Sequence, residues 1–285
     1  MRPDQRFTTL DKAFWAHVRS ISQELGYTER KTKEIKVPTL QNLADALSQL
    51  SLSSAHLLTK DGNPSDFARN LHGYFAYRAE VLNRNIRPLL MNAAQAEALF
   101  KKLRKDLRSK TQIPMNKQKG KKKKPAFLTG IVNMLIDANR KDLACDLDPR
   151  QLTSVTRGGL PVRTLARRVD GAFPSVINPV AIWEVKEYYH TTTFGSRVAD
   201  GVYETLLDGM ELEELNASEK IRIRHYLFLD DEFTWWQCGR SYLCRVIDML
   251  HMGYVDEVIF GRETVERIPA LVTEWVAIAR SRSNC

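Results

Sequence analysis

The sequence predicts an α/β protein, with a mixed sheet flanked by helices and preceded by an all-helical domain. Up to residue 110 the apolar residues recur at helical spacing. From residue 126 the pattern alternates in the order helix, strand, strand, helix, strand, helix, strand, helix. Between the two lies a Lys-rich stretch, 111–125, that reads as a flexible linker. Alternating elements of this kind imply a layered structure: a hairpin first, then helical crossovers between parallel neighbours. The expected organisation is therefore a helical domain over 1–110, a basic linker over 111–125 and an α/β domain over 126–285.

Each element has its own signal. Phe14, Val18, Ile21 and Leu25 form one helix face, and Leu40, Leu43, Leu47 and Leu50 form another behind a Thr39 N-cap. KDGNPSD (60–66) is a turn, FARNLHGYFAYRAEVLNRNI begins a further helix, and NAAQAEALFKKLRKDL is a good helix former that turns basic at its end. TLQNLADALSQL reads as a packing helix, since no second limb of a helix-turn-helix accompanies it. Beyond the linker, PAFLTGIVNMLIDANR is helical, and DLDPRQ and TRGGLP read as loop. VRTLARRVDGAF and PVAIWEVKEYY read as two strands joined by a short turn. SRVADGVYETLLDGMELEEL is an acidic amphipathic helix, RIRHYLFLDD a strand, SYLCRVIDMLHMG a helix, VDEVIFG a strand and ETVERIPALVTEWVAIAR the closing helix.

The net charge of +9 is local. Residues 101–124 hold twelve Lys and Arg against one acid, leaving 31 basic and 33 acidic residues elsewhere. A single basic segment suits phosphate binding through counterion release, with Lys119, Lys121, Lys122, Lys123 and Lys124 as candidate nucleic-acid contacts; a solvated linker is the other reading. Hydrophobic content of 43% and charged content of 27% are those of a soluble globular chain, and no apolar run approaches the roughly 20 residues a membrane span needs. The N-terminus lacks a secretory signal, and the four cysteines form neither a disulfide framework nor CxxC pairs, so the expected setting is cytoplasmic. Cys238, Cys244 and His251 are too regularly spread along one helix to gather zinc. No Walker loop, GxGxxG or GxSxG elbow is present.

One stretch does not fit a plain packing element. In VAIWEVKE an apolar strand runs straight into Glu184, Lys186 and Glu187. Side chains alternate along a strand, so Glu184 and Lys186 share a face. If the preceding strand forms a hairpin with this one, Asp170 falls opposite or diagonal to Glu184. Two carboxylates brought together repel unless a cation sits between them, and hard oxygen donors suit Mg²⁺. A structural ion pair at a strand end is the alternative.

Asp170, thirteen intervening residues and then Glu184-Val185-Lys186 at the end of an apolar strand resemble the PD-(D/E)XK nucleases, the restriction-endonuclease-like superfamily, and most of all a type II restriction endonuclease. Residues 126–260 follow that family's order of helix, hairpin, helix and further strands, about half the chain. Val169 stands where the motif's often-variable proline would be. Glu34-Ile35-Lys36 also follows an acid, Asp11, but no apolar strand precedes it. The resemblance implies a restriction-endonuclease-like core, Mg²⁺-dependent cleavage of DNA, Asp170 and Glu184 as metal ligands, and Lys186 as the catalytic lysine. It also implies a homodimer for double-strand cleavage and, encoded nearby, a possible cognate methyltransferase. Its first helix often supplies a further acid, for which Asp137, or Asn133 as a neutral substitute, is available. A repair nuclease of the same superfamily and a non-catalytic DNA-binding protein are the competing readings.

Around this cluster, Tyr188, His190, the Thr191–Thr193 run and Arg197 lie where a phosphate would pass, with Thr193 and Arg197 as candidate phosphate donors; a polar loop with a helix N-cap is the other reading. Asp200, Tyr203, Glu204 and Asp208 are expected on a solvated acidic helix face, and Asp230 and Asp231 at the surface or capping a strand. Trp235 and Trp236 are expected in the core.

Overall fold

The N-terminal helices start on side chains that satisfy their first free N–H groups. Asp11 accepts from Phe14 N (2.8 Å) and opens α1 (Lys12–Leu25). Thr39 forms a reciprocal capping box with Asn42 at the start of α2 (Leu40–Gln49), and Ser65 caps α3 (Asp66–Glu80). Their apolar faces meet in a core containing Phe14, Val18, Ile21, Leu43, Leu71 and Phe75. The computed structural model describes residues 1–116, 120, 123–190 and 195–283.

After α3 the chain continues through a π-helical turn, Val81–Ile86, and a 3-10 turn, Arg87–Leu89, into α4 (Ala93–Asp106). The buried side chains of α4, Ala96, Phe100 and Leu103, share a core with α5 (Phe127–Asn139) rather than with the first three helices. The ends of the Lys-rich segment between α4 and α5 are bonded to each other: Asn116 N donates to Lys124 O and Ala126 N to Pro114 O, both at 2.9 Å. The segment thus leaves and re-enters the fold at one fixed base.

The α/β part is built on a four-stranded mixed sheet in the order β3 (Gly171–Phe173), β4 (Ala181–Glu187), β5 (Arg224–Asp230), β6 (Glu257–Phe260). β3 is antiparallel to β4, and β4, β5 and β6 run parallel, as the alternating pattern predicts. The crossovers are α6 (Ser196–Glu219) and α7 (Arg240–His251). Together with α8 (Thr264–Ser283) they complete three layers: α5 and α8 pack on the Trp183 and Phe228 face, and α6 and α7 on the other. Trp183 and Trp275 stack with centroids 5.5 Å apart.

The strand predicted over 162–173 is broken. Its first half pairs instead within β1 (Ser154–Arg157) and β2 (Leu160–Thr164), a separate hairpin turning at Gly158 and Gly159 where the sequence predicts loop. Leu165 and Val169 then leave strand alternation to join a small core with Ile182, Leu212 and Leu215. Only Gly171–Phe173 joins the main sheet, so Asp170 immediately precedes that strand instead of lying within one.

A buried ion pair joins the N-terminal helices to α7. Arg78 Nη1 lies 3.0 Å from both oxygens of Asp248, and Tyr74 donates to the same carboxylate at 2.6 Å. Arg78 is raised above its ordinary value: burial works against its charge, and Asp248 outweighs it.

Candidate active site

On β4, Trp183, Val185 and Glu187 face α5 and α8, while Glu184 and Lys186 face α6. The neighbouring strand starts where it does because Gly171 lies against the Trp183 indole: a Cβ at that position would sit 2.1 Å from the ring. This close approach sets Asp170 across from Glu184. Asp170 N donates to Trp183 O (3.1 Å) and to Glu184 Oε1 (3.2 Å), and Asp170 Oδ2 accepts from Val185 N at 2.9 Å. The juxtaposition predicted from spacing is present.

Lys186 Nζ donates to Glu184 Oε2 at 2.7 Å and to Glu204 Oε2 at 2.9 Å. Its aliphatic stem passes Gly201 on α6, where a Cβ would come within 3.2 Å of Lys186 Cδ. Arg167 enters from the loop before β3. It contacts both Glu184 oxygens (2.9 and 3.1 Å), Asp208 Oδ2 (2.6 Å) and Glu204 Oε2 (3.2 Å). Glu184 and Asp208 are completely buried.

Four carboxylates, Asp170, Glu184, Glu204 and Asp208, thus surround two cations, Arg167 and Lys186, for a net charge of −2 when all are ionised. Burial alone would raise Glu184, but Lys186 and Arg167 outweigh it and hold the carboxyl below its ordinary value. Burial pushes against the Lys186 charge, yet Glu184 and Asp170 raise it, so its amine holds its proton. Asp208 is pushed up to about 7 by burial and by the nearby Glu184 charge, and its Oδ1 is buried with no hydrogen-bond partner.

Two of these groups correct the sequence reading. Asp208 and Glu204 are not a solvated face: Asp208 is enclosed, and Glu204, partly exposed, bonds the site's cations. A signal existed, since Asp208 falls in the buried row of α6 with Gly201, Thr205, Leu212 and Leu215. Arg167 was missed because the segment around it reads as continuous strand.

All of this cluster lies within residues 91–275, which match the family model described as "Domain of unknown function (DUF7687)". The chain belongs to the DUF7687 family. Residues 1–85 match a second model, "Domain of unknown function (DUF7690)", so Arg78–Asp248 joins the two matched regions. No curated protein and no solved structure matches the chain.

The DUF7687 cluster suits a divalent metal in donor chemistry: every ligand-capable atom is a carboxylate oxygen, the carboxylates outnumber the cations by two, and one buried oxygen is unpartnered. Among the described residues, no three His, Cys, Asp or Glu side chains are grouped to hold a metal ion as they stand. Arg167 and Lys186 contact both oxygens of Glu184.

The remaining predicted positions divide. Asn133 and Asp137 are on α5, against the opposite face of the sheet; Asp137 pairs with Arg140, and Asn133 Oδ1 is buried without a partner. Glu187 caps α5, accepting from Leu128 N (3.0 Å), Thr129 N (3.1 Å) and Thr129 Oγ1 (2.6 Å), a carboxylate at a helix N-terminus that has no cap of its own. Arg197 is exposed in the first turn of α6, where its carbonyl accepts from Tyr188. Lys123 and Lys124 are exposed beside the tied base of the basic segment. Lys119, Lys121, Lys122 and Thr193 lie outside the described residues. Asp230 and Asp231 are buried rather than at the surface; Asp230 accepts from Met91 N and Asp231 N and from the Tyr189 hydroxyl, while Asp231 accepts from Thr234 N. Trp235 and Trp236 are buried as expected, and Trp235 Nε1 donates to Lys186 O at 3.3 Å.

Proposed function

We propose that the chain is a divalent-metal-dependent endodeoxyribonuclease with a restriction-endonuclease-like core, acting as a type II restriction endonuclease or a related bacterial defence nuclease. The observation that carries this reading is the meeting of Asp170 and Glu184 across the β3–β4 hairpin, with Lys186 on the same face and α6 closing over it. The order of helix, hairpin, crossover helix and parallel strand supports the same reading. So does an isolated antiparallel bridge from Asp146 to Ala172, which adds a rudimentary strand outside β3.

In this mechanism Asp170 and Glu184 hold Mg²⁺. When bound, the ion offsets charge on the scissile phosphate and activates the attacking water. The chain's own residues do the rest. Lys186 is protonated and fixed by Glu184 and Glu204, so it acts as a placed cation beside the phosphate oxygens and not as a base. Glu204 orients that ammonium from α6. Arg167 holds the carboxylates together before metal and DNA arrive. The basic segment and Arg197 bind the DNA backbone without reading sequence. One such site cuts one strand, so double-strand cleavage takes a dimer.

Incubating the purified chain with plasmid DNA and Mg²⁺ tests this. Nicking or cutting is expected, EDTA stops it, and Lys186→Met and Asp170→Asn abolish it while DNA binding persists. Cleavage retained in both variants overturns the site. A non-catalytic reading has its own support, since Glu184, Lys186, Glu204 and Arg167 pair with one another. On that reading no preparation cuts DNA, and removing 117–124 eliminates most DNA affinity.

A further inference from the structure

A second charged site lies where the two family-matched regions meet. Lys33, Arg87, Glu232, Trp236, Gln237 and Arg240 line a cavity of about 380 Å³. Lys33 belongs to the first matched region, Arg87 to the connection between them, and Arg240 to the second, at the first residue of α7. Three cations face one acid here, and that acid, Glu232, accepts from Gln237 at 3.1 Å. Among the described residues none of Lys33, Arg87 and Arg240 has an ion-pair partner, in contrast to Arg2, Arg78, Arg167 and Arg267, each held by a carboxylate. The Arg240 Nε is buried and makes no hydrogen bond.

Both guanidiniums are held in place without neutralising them. The Arg87 and Arg240 carbon centres each lie 5.3 Å from the Trp236 ring centroid, and the ring itself is buried. Cation–π contact orients an arginine while leaving its N–H fork free. Like charges set this close repel, and burial together with Arg87 holds Arg240 below its ordinary value. A cavity at a net charge of +2, with two guanidiniums placed by one ring and an ammonium at its edge, has the character of a binding site.

We infer that this cavity binds a terminal phosphate group, a phosphomonoester, on a nucleotide or at a nucleic-acid end. A carboxylate needs only one guanidinium fork. Two forks and an ammonium match the several oxygens and the charge of about −1.5 to −2 of a phosphomonoester at neutral pH, whereas a backbone diester carries about −1. Trp236 is covered, so the cavity recognises phosphate and not a base. The site is independent of cleavage at Asp170 and Glu184. It is assembled from both matched regions, so occupancy would also tighten their docking.

The full chain in EDTA, titrated with inorganic phosphate and followed by calorimetry, tests the inference. One saturable site is expected, weakened at least tenfold in Arg87→Gln and in Arg240→Gln, and unchanged in Arg69→Gln, an exposed arginine already paired with Asp66. Circular dichroism checks that the variants are folded. Competition identifies the source: displacement by a 5′-phosphorylated oligonucleotide but not its 5′-hydroxyl twin assigns a nucleic-acid end, and displacement by AMP alone assigns a mononucleotide. Equal competition by both oligonucleotides, no phosphate binding by the folded wild type, or binding unaffected by both arginine variants overturns the inference. None of these readouts uses cleavage, so failure here leaves the nuclease proposal untouched, and the reverse also holds.

Discussion

Replacing Arg167 with methionine separates its two roles in the acidic cluster. The guanidinium contacts both oxygens of Glu184, Oδ2 of Asp208 and Oε2 of Glu204. Without it, Glu184 keeps Lys186 and the Asp170 N–H, while Asp208 loses the 2.6 Å contact to an oxygen whose companion already has no partner. Removing one member of a buried ion pair costs roughly 3–5 kcal/mol. The lower end applies, at about 3 kcal/mol, because the Arg167 side chain is 21% exposed and Asp208, at about 7, can take up a proton. The substitution also removes one positive charge from the cluster and one contact from each oxygen of Glu184, which favours a divalent cation. A ligand at a hundred times its dissociation constant stabilises the folded state by about 2.7 kcal/mol. Urea unfolding in EDTA and in saturating Mg²⁺, without DNA, should therefore show a variant that is weaker in EDTA and regains more than the wild type gains. Equal Mg²⁺ shifts in the two proteins, or none, would refute the idea that Arg167 stands where the ion binds.

Three further outcomes follow from the same geometry. Arg78→Met and Asp248→Leu should each cost roughly 3–5 kcal/mol in urea unfolding, and the double variant less than the sum, because the second change removes a charge already stranded by the first; additivity would mean the pair is not coupled. Asp230, raised to about 7 by burial despite hydrogen bonds that favour its ionised form, holds a proton in the folded state that it lacks unfolded. Wild-type stability relative to Asp230→Asn should accordingly fall as pH rises from near 4 to near 7, by at most roughly 4 kcal/mol, and level off above; a difference that does not vary with pH denies the shift. Glu187→Gln removes the charge and one acceptor at the start of α5, and should cost about 1–2 kcal/mol in urea unfolding without moving Lys186; no loss of stability would remove Glu187 as the cap.

What the sequence made legible follows the range of the interactions. Thr39 caps α2, and β4 alternates as expected, because both are set by neighbours a few residues away. The meeting of Asp170 with Glu184 was legible for a related reason, since the turn between their strands is short enough for spacing to imply a hairpin. Arg167 was not. It lies in a stretch whose local pattern suits strand, and only the competing β1–β2 hairpin and the burial of Leu165 and Val169 bend that stretch so that Arg167 reaches Glu184. Asp208 was misread because amphipathic reasoning assigns charge to solvent. An acid in a buried row of a helix is an exception that becomes intelligible once its partners from another element are known. Glu187 was unplaced for the same reason, as its partners are the first N–H groups of a helix that precedes it by nearly sixty residues.

The two buried charge clusters also argue against each other's interpretation. Arg78 and Asp248 form a neutral pair whose remaining bonds go to Tyr74 and Ser22, and the pair spans a docking interface. That is what a structural ion pair needs, since buried charge is tolerated when its partner neutralises it, even though Arg78 Nε is itself buried without a hydrogen-bond partner. The cluster on β4 departs from that balance in a directed way. Its four carboxylates outnumber its cations by two, and one acid, Asp208, is pushed to about 7 by burial and by the Glu184 charge. Hydrophobic replacement of such a network is often neutral or stabilising, so stability alone gives no reason to retain its unmatched charge. A divalent cation would neutralise the excess, and no comparable deficit exists at Arg78. The contrast within one molecule supports reading the Arg78 pair as a joint and the Glu184 cluster as a site.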